Sequence, residues 1–273
     1  MMGVVHYYCR EQFINTVLIL KLLLVPMLIA GITIAGRHWV PAVAGWLSAF
    51  PVVSAPILFF LALEHGAAFA ATAAVGTLSA VLAILAFGVS YAWAATRYAW
   101  HTCVIIAFVG YSCAIACLNV WTPSLFSAAS AVVAALVAAK WLFPVPAQTP
   151  GLTSSPANDL VLRMIVGGTL VFLVTYFSSR MGPRLSGVFA MFPVMSSVLV
   201  IFSHRHTGAS FAIRLLRGMV LGYYAFGCFC FVLSLALQSM RMGFAFAAAL
   251  GCAVLVQAVT RVYVLRVVRT NSR

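Results

Sequence analysis

Two prolines lie at matching places in long apolar segments of the sequence. Pro51 is near the middle of a segment covering residues 39–63, and Pro193 is near the middle of one covering residues 184–203. A proline inside a helix removes one backbone hydrogen bond and clashes with the preceding turn. In hydrocarbon the freed carbonyl must find a protein or water partner. Paired interruptions of this kind predict a binding site near the membrane midplane.

Hydroxyl groups follow both prolines at the same spacing. Ser54 and Ser196 each lie three residues after the proline of their segment, and Ser197 is adjacent to the second. Three residues are almost one helical turn, so each serine shares a face with its proline. Two interpretations stay open. The hydroxyls bind a solute at a midplane site, or they bond to carbonyls of their own helices and the prolines form structural kinks.

Arginines and one glutamate are the charged candidates. Arg214 and Arg217 are spaced i, i+3 within an apolar segment at residues 209–237, so they share a helix face. An arginine inside a membrane is a candidate for an anion or lipid-headgroup site, and anionic lipid at the inner surface would bind the same groups. Snorkelling to headgroups is the alternative. Glu64, at the end of residues 39–63, is the candidate for ion coupling, with a solvated turn as its alternative.

Signatures of enzymes are missing from the sequence. It contains no Gly-rich phosphate loop, no His-Glu-x-x-His and no Gly-x-Ser-x-Gly. The chain has three acidic residues, which leaves almost none to form a catalytic pair of carboxylates. The 16 Lys and Arg are dispersed singly between apolar segments, unlike a nucleic-acid surface. We therefore predict no catalytic residues, no cofactor, no metal site and no nucleic-acid partner.

Composition places the chain in a membrane. Of 273 residues, 64% are hydrophobic and 7% are charged, whereas soluble domains carry about 25% charged residues. A helix needs about 20 apolar residues to cross hydrocarbon. On this basis we predict an all-α integral membrane protein in contact with the lipid bilayer, with nine transmembrane helices at residues 13–35, 39–63, 67–95, 98–118, 122–143, 160–179, 184–203, 209–237 and 243–265.

The distribution of basic residues predicts an orientation. With the N-terminus outside, inner helix ends hold ten Lys or Arg and outer ends hold four, which fits the excess of cations in cytoplasmic loops. The inner set is Arg37, Arg97, Lys140, Arg163, Arg205, Arg214, Arg217, Arg266, Arg269 and Arg273, and the outer set is Arg10, Arg180, Arg184 and Arg241. The C-terminus is therefore predicted to be cytoplasmic.

An internal repeat organises the chain. Residues 41–76 align with residues 183–218 without a gap at an offset of 142, and 12 of 36 positions are identical, including three glycine, two proline and one serine pairs. We predict a first membrane repeat at residues 1–120 and a second at residues 159–273. A linking helix and a polar linker join them at residues 121–158. One linking helix would make the two four-helix repeats inverted, an arrangement typical of secondary transporters.

The repeated unit resembles a known family. Gly45 is followed by Phe50-Pro51, and Gly187 by Phe192-Pro193. This pattern is similar to the small GlpM-type proteins of the bacterial inner membrane. Those proteins are single units of about four spans, whereas this chain has two units and a linking helix. The resemblance implies the fold and a bacterial inner membrane. It carries over no activity and no site residues.

The architecture favours transport. We expect a secondary transporter or flippase for a small solute or a lipid-linked anion, with its site between the prolines and serines of the second and seventh spans. The alternative is a non-transporting, membrane-embedded partner or assembly factor in which prolines and glycines serve packing alone. The scarcity of acidic residues favours this alternative, because proton-coupled carriers use carboxylates.

Overall fold

Helices account for nearly all of the described structure. The computed structural model describes residues 41–51, 54–121, 123–146, 158–180 and 193–270, with isolated helical positions between Leu23 and Ile34. Within these ranges nine helices are present and no strand. They are α1 (Pro41–Ser48), α2 (Ser54–His65), α3 (Ala67–Ala94), α4 (Trp100–Val120), α5 (Leu125–Leu142), α6 (Asn158–Arg180), α7 (Val194–Thr207), α8 (Ala209–Ser239) and α9 (Met242–Thr270).

Five helices of the described chain are long and apolar enough to cross a bilayer: α3, α4, α5, α8 and the first part of α9, Met242–Val262. Their bounds agree with the predicted spans to within a few residues. The all-α prediction is confirmed within the described residues, and the apolar helices are compatible with a membrane protein. Nine transmembrane helices were predicted, and five of the described helices have the length and composition to cross a bilayer. The first predicted span, residues 13–35, lies outside the described residues except at those isolated positions.

The second predicted span is not one continuous helix. Residues 39–63 contain α1, which ends at Ser48, and α2, which begins at Ser54. Between them Phe50 N–H donates to the Leu47 carbonyl at 3.3 Å, and helical bonding resumes where Ala55 N–H donates to the Pro51 carbonyl at 3.0 Å. Proline has no N–H to continue the helix, so the predicted interruption at Pro51 becomes a complete break.

The two repeats share their local backbone at the next turn. Gly66 links α2 to α3 with φ 88°, and Gly208 links α7 to α8 with φ 94°. In each case the glycine N–H donates to the carbonyl four residues before it, and its own carbonyl accepts from the residue four positions later. A positive φ is costly for residues with a Cβ. This explains why glycine occupies both positions of the aligned pair.

A central pair of helices holds the described bundle together. α3 packs against α8, α4 packs on α3, and α9 packs on α8. α5 contacts both central helices. The core includes fully buried aromatic side chains, such as Phe87 and Tyr91 of α3 and Phe229 of α8. These two long helices provide the frame against which the short helices α1, α2 and α7 are placed.

Glycines bring α1 into backbone contact with α8. A Cβ at Gly218 would overlap the carbonyl oxygen of Ala42, and a Cβ at Gly45 would overlap that of Leu215. At Gly222 a Cβ would lie 2.6 Å from the Cβ of Ala49. Small residues permit this approach. The hydrophobic effect does not drive helices together in lipid, so close packing of the two backbones holds them instead.

The paired glycines of the repeat give a matched test of this contact. We expect Gly218→Ala to destabilise the protein by about 1–3 kcal/mol, because backbone atoms of α1 cannot move aside as a side chain would. Gly76→Ala, at the aligned position in α3, should be close to neutral, since no atom of the described residues lies within 4 Å of the added Cβ. Thermal unfolding in detergent measures both. Equal losses for the two variants would contradict the contact.

Candidate functional site

A cavity of ≈ 530 Å³ lies between α2, α3, α4 and the turn that follows α4. Ser54, the first residue of α2 after the helix break, lines this cavity. The remaining lining residues are Ile57, Leu58, Leu61, Thr72, Ala73, Val75, Gly76, Thr77, Ser79, Ala80, Ile115, Leu118, Asn119, Trp121 and Pro123. This volume falls in the range of small-molecule sites.

The described walls of this cavity, which we name the α2–α4 cavity, are uncharged. Most of its lining side chains are aliphatic, and the polar ones are hydroxyl, amide and indole groups. None of the residues named above carries a formal charge. Thr72, Gly76 and Asn119 are exposed, so the cavity reaches the surface of the helix bundle.

The hydroxyl groups on the α3 wall already donate their protons. Thr77 donates to the Ala73 carbonyl at 2.9 Å, and Ser79 donates to the Val75 carbonyl at 3.0 Å. Thr72 bonds in the same way to the carbonyl four residues before it, at 3.1 Å. Each oxygen keeps lone pairs that can accept a further bond. Toward the cavity these three groups act as hydrogen-bond acceptors.

The aligned serine in the second repeat has a closed environment. Ser196 is buried, and its hydroxyl lies 3.2 Å from that of Tyr223 on α8. Ser197 is fully buried and donates to the carbonyls of Pro193 and Val194 in its own helix. Ser54, by contrast, has no hydrogen-bond partner within the described chain. Bonding to the own helix thus describes Ser197, whereas Ser196 bonds to α8 and Ser54 lines a cavity.

The two arginines lie on α8, away from the α2–α4 cavity. At an offset of 142, Arg214 and Arg217 align with Thr72 and Val75, which do line the cavity. Both arginines are partly buried, and Arg214 makes further contacts of its own. The same face of α8 continues through Gly218 to Gly222, where α1 covers it. The face that is open on α3 is therefore closed on α8.

The three remaining predicted residues are placed by the backbone. Pro51 is buried at the break itself. Glu64 lies in the last turn of α2, three residues after the cavity residue Leu61, and its side chain lies outside the described residues. Pro193 is buried and precedes α7, where its carbonyl accepts from Ser197 N–H at 2.9 Å. The residues aligned with α1, 183–190, lie outside the described residues.

Sequence reasoning missed two polar residues of α9 that support the break. Gln257 Nε2 donates to the Trp46 carbonyl at 3.1 Å, and Trp46 Nε1 donates to Thr260 Oγ1 at 2.9 Å. The Trp46 carbonyl is in the last turn of α1, where intrahelical partners run out. The i, i+3 spacing of Gln257 and Thr260 within an apolar segment was the available signal. It gave no indication of its partner, more than 200 residues away in sequence.

Sequence reasoning also missed a polar contact between the repeats. The hydroxyl of Tyr91, in α3, lies 3.1 Å from Nδ1 of His204, in α7. Tyr91 is fully buried and His204 is partly buried. This contact ties the short helix α7 to the central helix of the other repeat. It leaves the α2–α4 cavity unaffected, since neither residue lines it.

The aligned serines give a matched prediction of stability. Ser196→Ala should cost about 1–3 kcal/mol, because it leaves the buried Tyr223 hydroxyl without its partner. Ser54→Ala should stay within about 0.5 kcal/mol of the parent, since its hydroxyl has no partner to lose. Thermal unfolding in detergent measures both changes. Adding Tyr223→Phe to Ser196→Ala should recover much of the loss, and failure to recover it would contradict the pairing.

No protein-family model, curated protein or solved structure matches the chain. The function must therefore be argued from the cavity, the helix break and the chemistry of the residues around them.

Proposed function

We propose that the protein is a secondary transporter or flippase whose substrate binds in the α2–α4 cavity. The observation that carries the proposal is the broken helix α1–α2, because Ser54 at the start of its second half lines the cavity. Irregular backbone at membrane depth is tolerated where it is buried in protein or lines a wet cavity. Discontinuous helices beside a central cavity are a recurrent feature of transporter sites.

An inverted relation between the repeats supports alternating access. In this proposal residues 1–120 and 159–273 are two copies of one unit, related by a pseudo-two-fold axis in the membrane plane. The matched turns at Gly66 and Gly208 and the packing of α3 on α8 support a common unit. The open face of α3 and the covered face of α8 would then be two conformations of that unit. Their exchange would move the cavity from one side of the membrane to the other.

The predicted orientation determines to which side of the membrane the cavity would open. With the N-terminus outside, the turn at Gly66 and the end of α4 are at the outer surface, so the α2–α4 cavity would open outward. Arg214 and Arg217 would then lie toward the inner surface, where we propose that they bind anionic lipid headgroups. A role for Glu64 in ion coupling stays a prediction. The resemblance to GlpM-type proteins supports a bacterial inner membrane as the location.

A non-transporting partner protein is the second candidate. Two observations favour it: Ser196 and Ser197 are used up in internal hydrogen bonds, and the chain has only three acidic residues. In that case the glycine contacts between α1 and α8 would serve packing alone. Access of water to Ser54 distinguishes the two candidates, because a packing protein has no need of it.

Thiol accessibility tests the transporter proposal. In a variant with the seven native cysteines replaced, Ser54→Cys should react with a membrane-impermeant maleimide added from the outer side. Ser196→Cys is the matched control and should react much more slowly, since its position is buried. Labelling rates are measured on right-side-out and inverted membrane vesicles. Cysteines in loops verify the orientation of the vesicles.

Alternating access predicts a further result for the Ser54→Cys and Ser196→Cys variants. Conditions that slow labelling at Ser54→Cys should speed it at Ser196→Cys, with the second site reached from the inner side. Unreactive thiols at both positions, together with reactive loop controls, would contradict a cavity at the break. The non-transporting alternative would then be preferred.

A further inference from the structure

The hydrogen-bonding groups of the α2–α4 cavity differ in whether they can still donate a proton or can only accept one. Thr72, Thr77 and Ser79 have given their protons to carbonyls of α3 and present acceptor oxygens. Ser54 has no hydrogen-bond partner within the described chain and can donate as well as accept. The cavity thus has acceptor oxygens on α3, and its other described polar groups are the Ser54 hydroxyl, the Asn119 amide and the Trp121 indole.

Charge is the second constraint on a ligand. A charged group that leaves water for an apolar site loses several kcal/mol unless an opposite charge meets it. The lining residues that the structure describes contain no Lys, Arg, His, Asp or Glu. Among the described lining residues, no side chain offers an opposite charge to an anion or a cation. An uncharged group with O–H or N–H donors would have its protons accepted by the α3 wall.

We propose that the α2–α4 cavity binds an uncharged ligand that carries hydroxyl or amide N–H donors. The inference rests on the proposed function, since it names the substrate class of the same site. Two sources share this chemistry: a small polyol in water, and a lipid whose headgroup is an uncharged polyol. The aliphatic side chains of Ile57, Leu61 and Leu118 beside the acceptors fit the carbon skeleton of either.

Protection of a reporter thiol tests the ligand chemistry. Gly76→Cys is suitable because the residue lines the cavity and a Cβ there meets no atom of the described chain within 4 Å. This substitution also retains every polar group of the walls. The probes are glycerol monooleate, its dimethyl ether without donors, its anionic phosphate and its cationic choline counterpart. Free glycerol separates a soluble polyol from a lipid.

We expect glycerol monooleate, free glycerol, or both to slow labelling of Gly76→Cys by maleimide in the cysteine-free protein. At ten times the Kd of the probe the rate should fall about tenfold, by simple occupancy. The dimethyl ether and both charged counterparts should protect much less at equal concentration. Protection by glycerol as strong as that by the monooleate identifies a solute, and protection by the monooleate alone identifies a lipid.

Removal of the hydroxyl acceptors on α3 gives a second test of the ligand chemistry. The pair Thr77→Val and Ser79→Ala, added to the reporter, should abolish protection by the uncharged probes. Ser130→Ala is the matched control, because its hydroxyl also bonds to its own helix but lies on α5, outside the cavity. It should leave protection unchanged. Thermal unfolding verifies that each variant is folded.

The outcomes separate this inference from the proposed function. Equal or stronger protection by a charged probe or by the ether overturns the ligand class, as does the absence of protection by both uncharged donors. If the thiols at positions 54 and 76 still react from the outer side, the cavity stands while the ligand class fails. Unreactive thiols at both positions overturn the cavity and the ligand class together.

Discussion

Every backbone N–H and C=O inside a bilayer needs a partner, and the break between α1 and α2 is where this chain must supply partners from outside the helix. Phe50 N–H turns back to Leu47, and the Trp46 carbonyl receives Gln257 from α9. A hydrogen bond of this kind contributes modestly when made and costs more when a buried group is left without it. The position of α9 is therefore tied to the break, although it is remote from it in sequence.

Close packing of glycines holds the first half of the broken helix in place. Gly45 and Gly218 remove the side chains that would separate α1 from α8, so that backbone atoms of the two helices touch. The aligned glycine of α3, Gly76, lines the cavity and has open space beside it within the part of the chain that the structure describes. The same sequence feature thus has two states within one molecule, one closed and one open. Two copies of a unit that differ in this way are what alternating access by repeat exchange requires.

The five long apolar helices were predictable because apolar length alone determines where a chain can cross hydrocarbon. The place of the break was predictable too, because proline acts locally at Pro51. The packing of the two halves of the broken helix, α1 on α8 and α2 on α3, was not predictable. It depends on which long helix lies alongside each half. For the same reason Ser54 and Ser196 looked equivalent in sequence. The difference comes from Tyr223, which is aligned with Val81 and supplies a partner to Ser196 alone. Contacts between distant segments, such as Gln257 with Trp46, leave no local pattern to read.

The scarcity of acidic residues has a different meaning once the ligand is uncharged. Three acids in 273 residues argue against a carrier that moves protons through a chain of carboxylates. Movement of an uncharged ligand transfers no charge, so the membrane potential, worth about 2.3 kcal/mol per elementary charge at 100 mV, does no work on it. Neither a counter-charge in the cavity nor a titrating group is then required for the crossing itself. The hydroxyl groups of α3 have only to replace the water that such a ligand leaves behind, and the lack of charge in the walls becomes part of the selectivity.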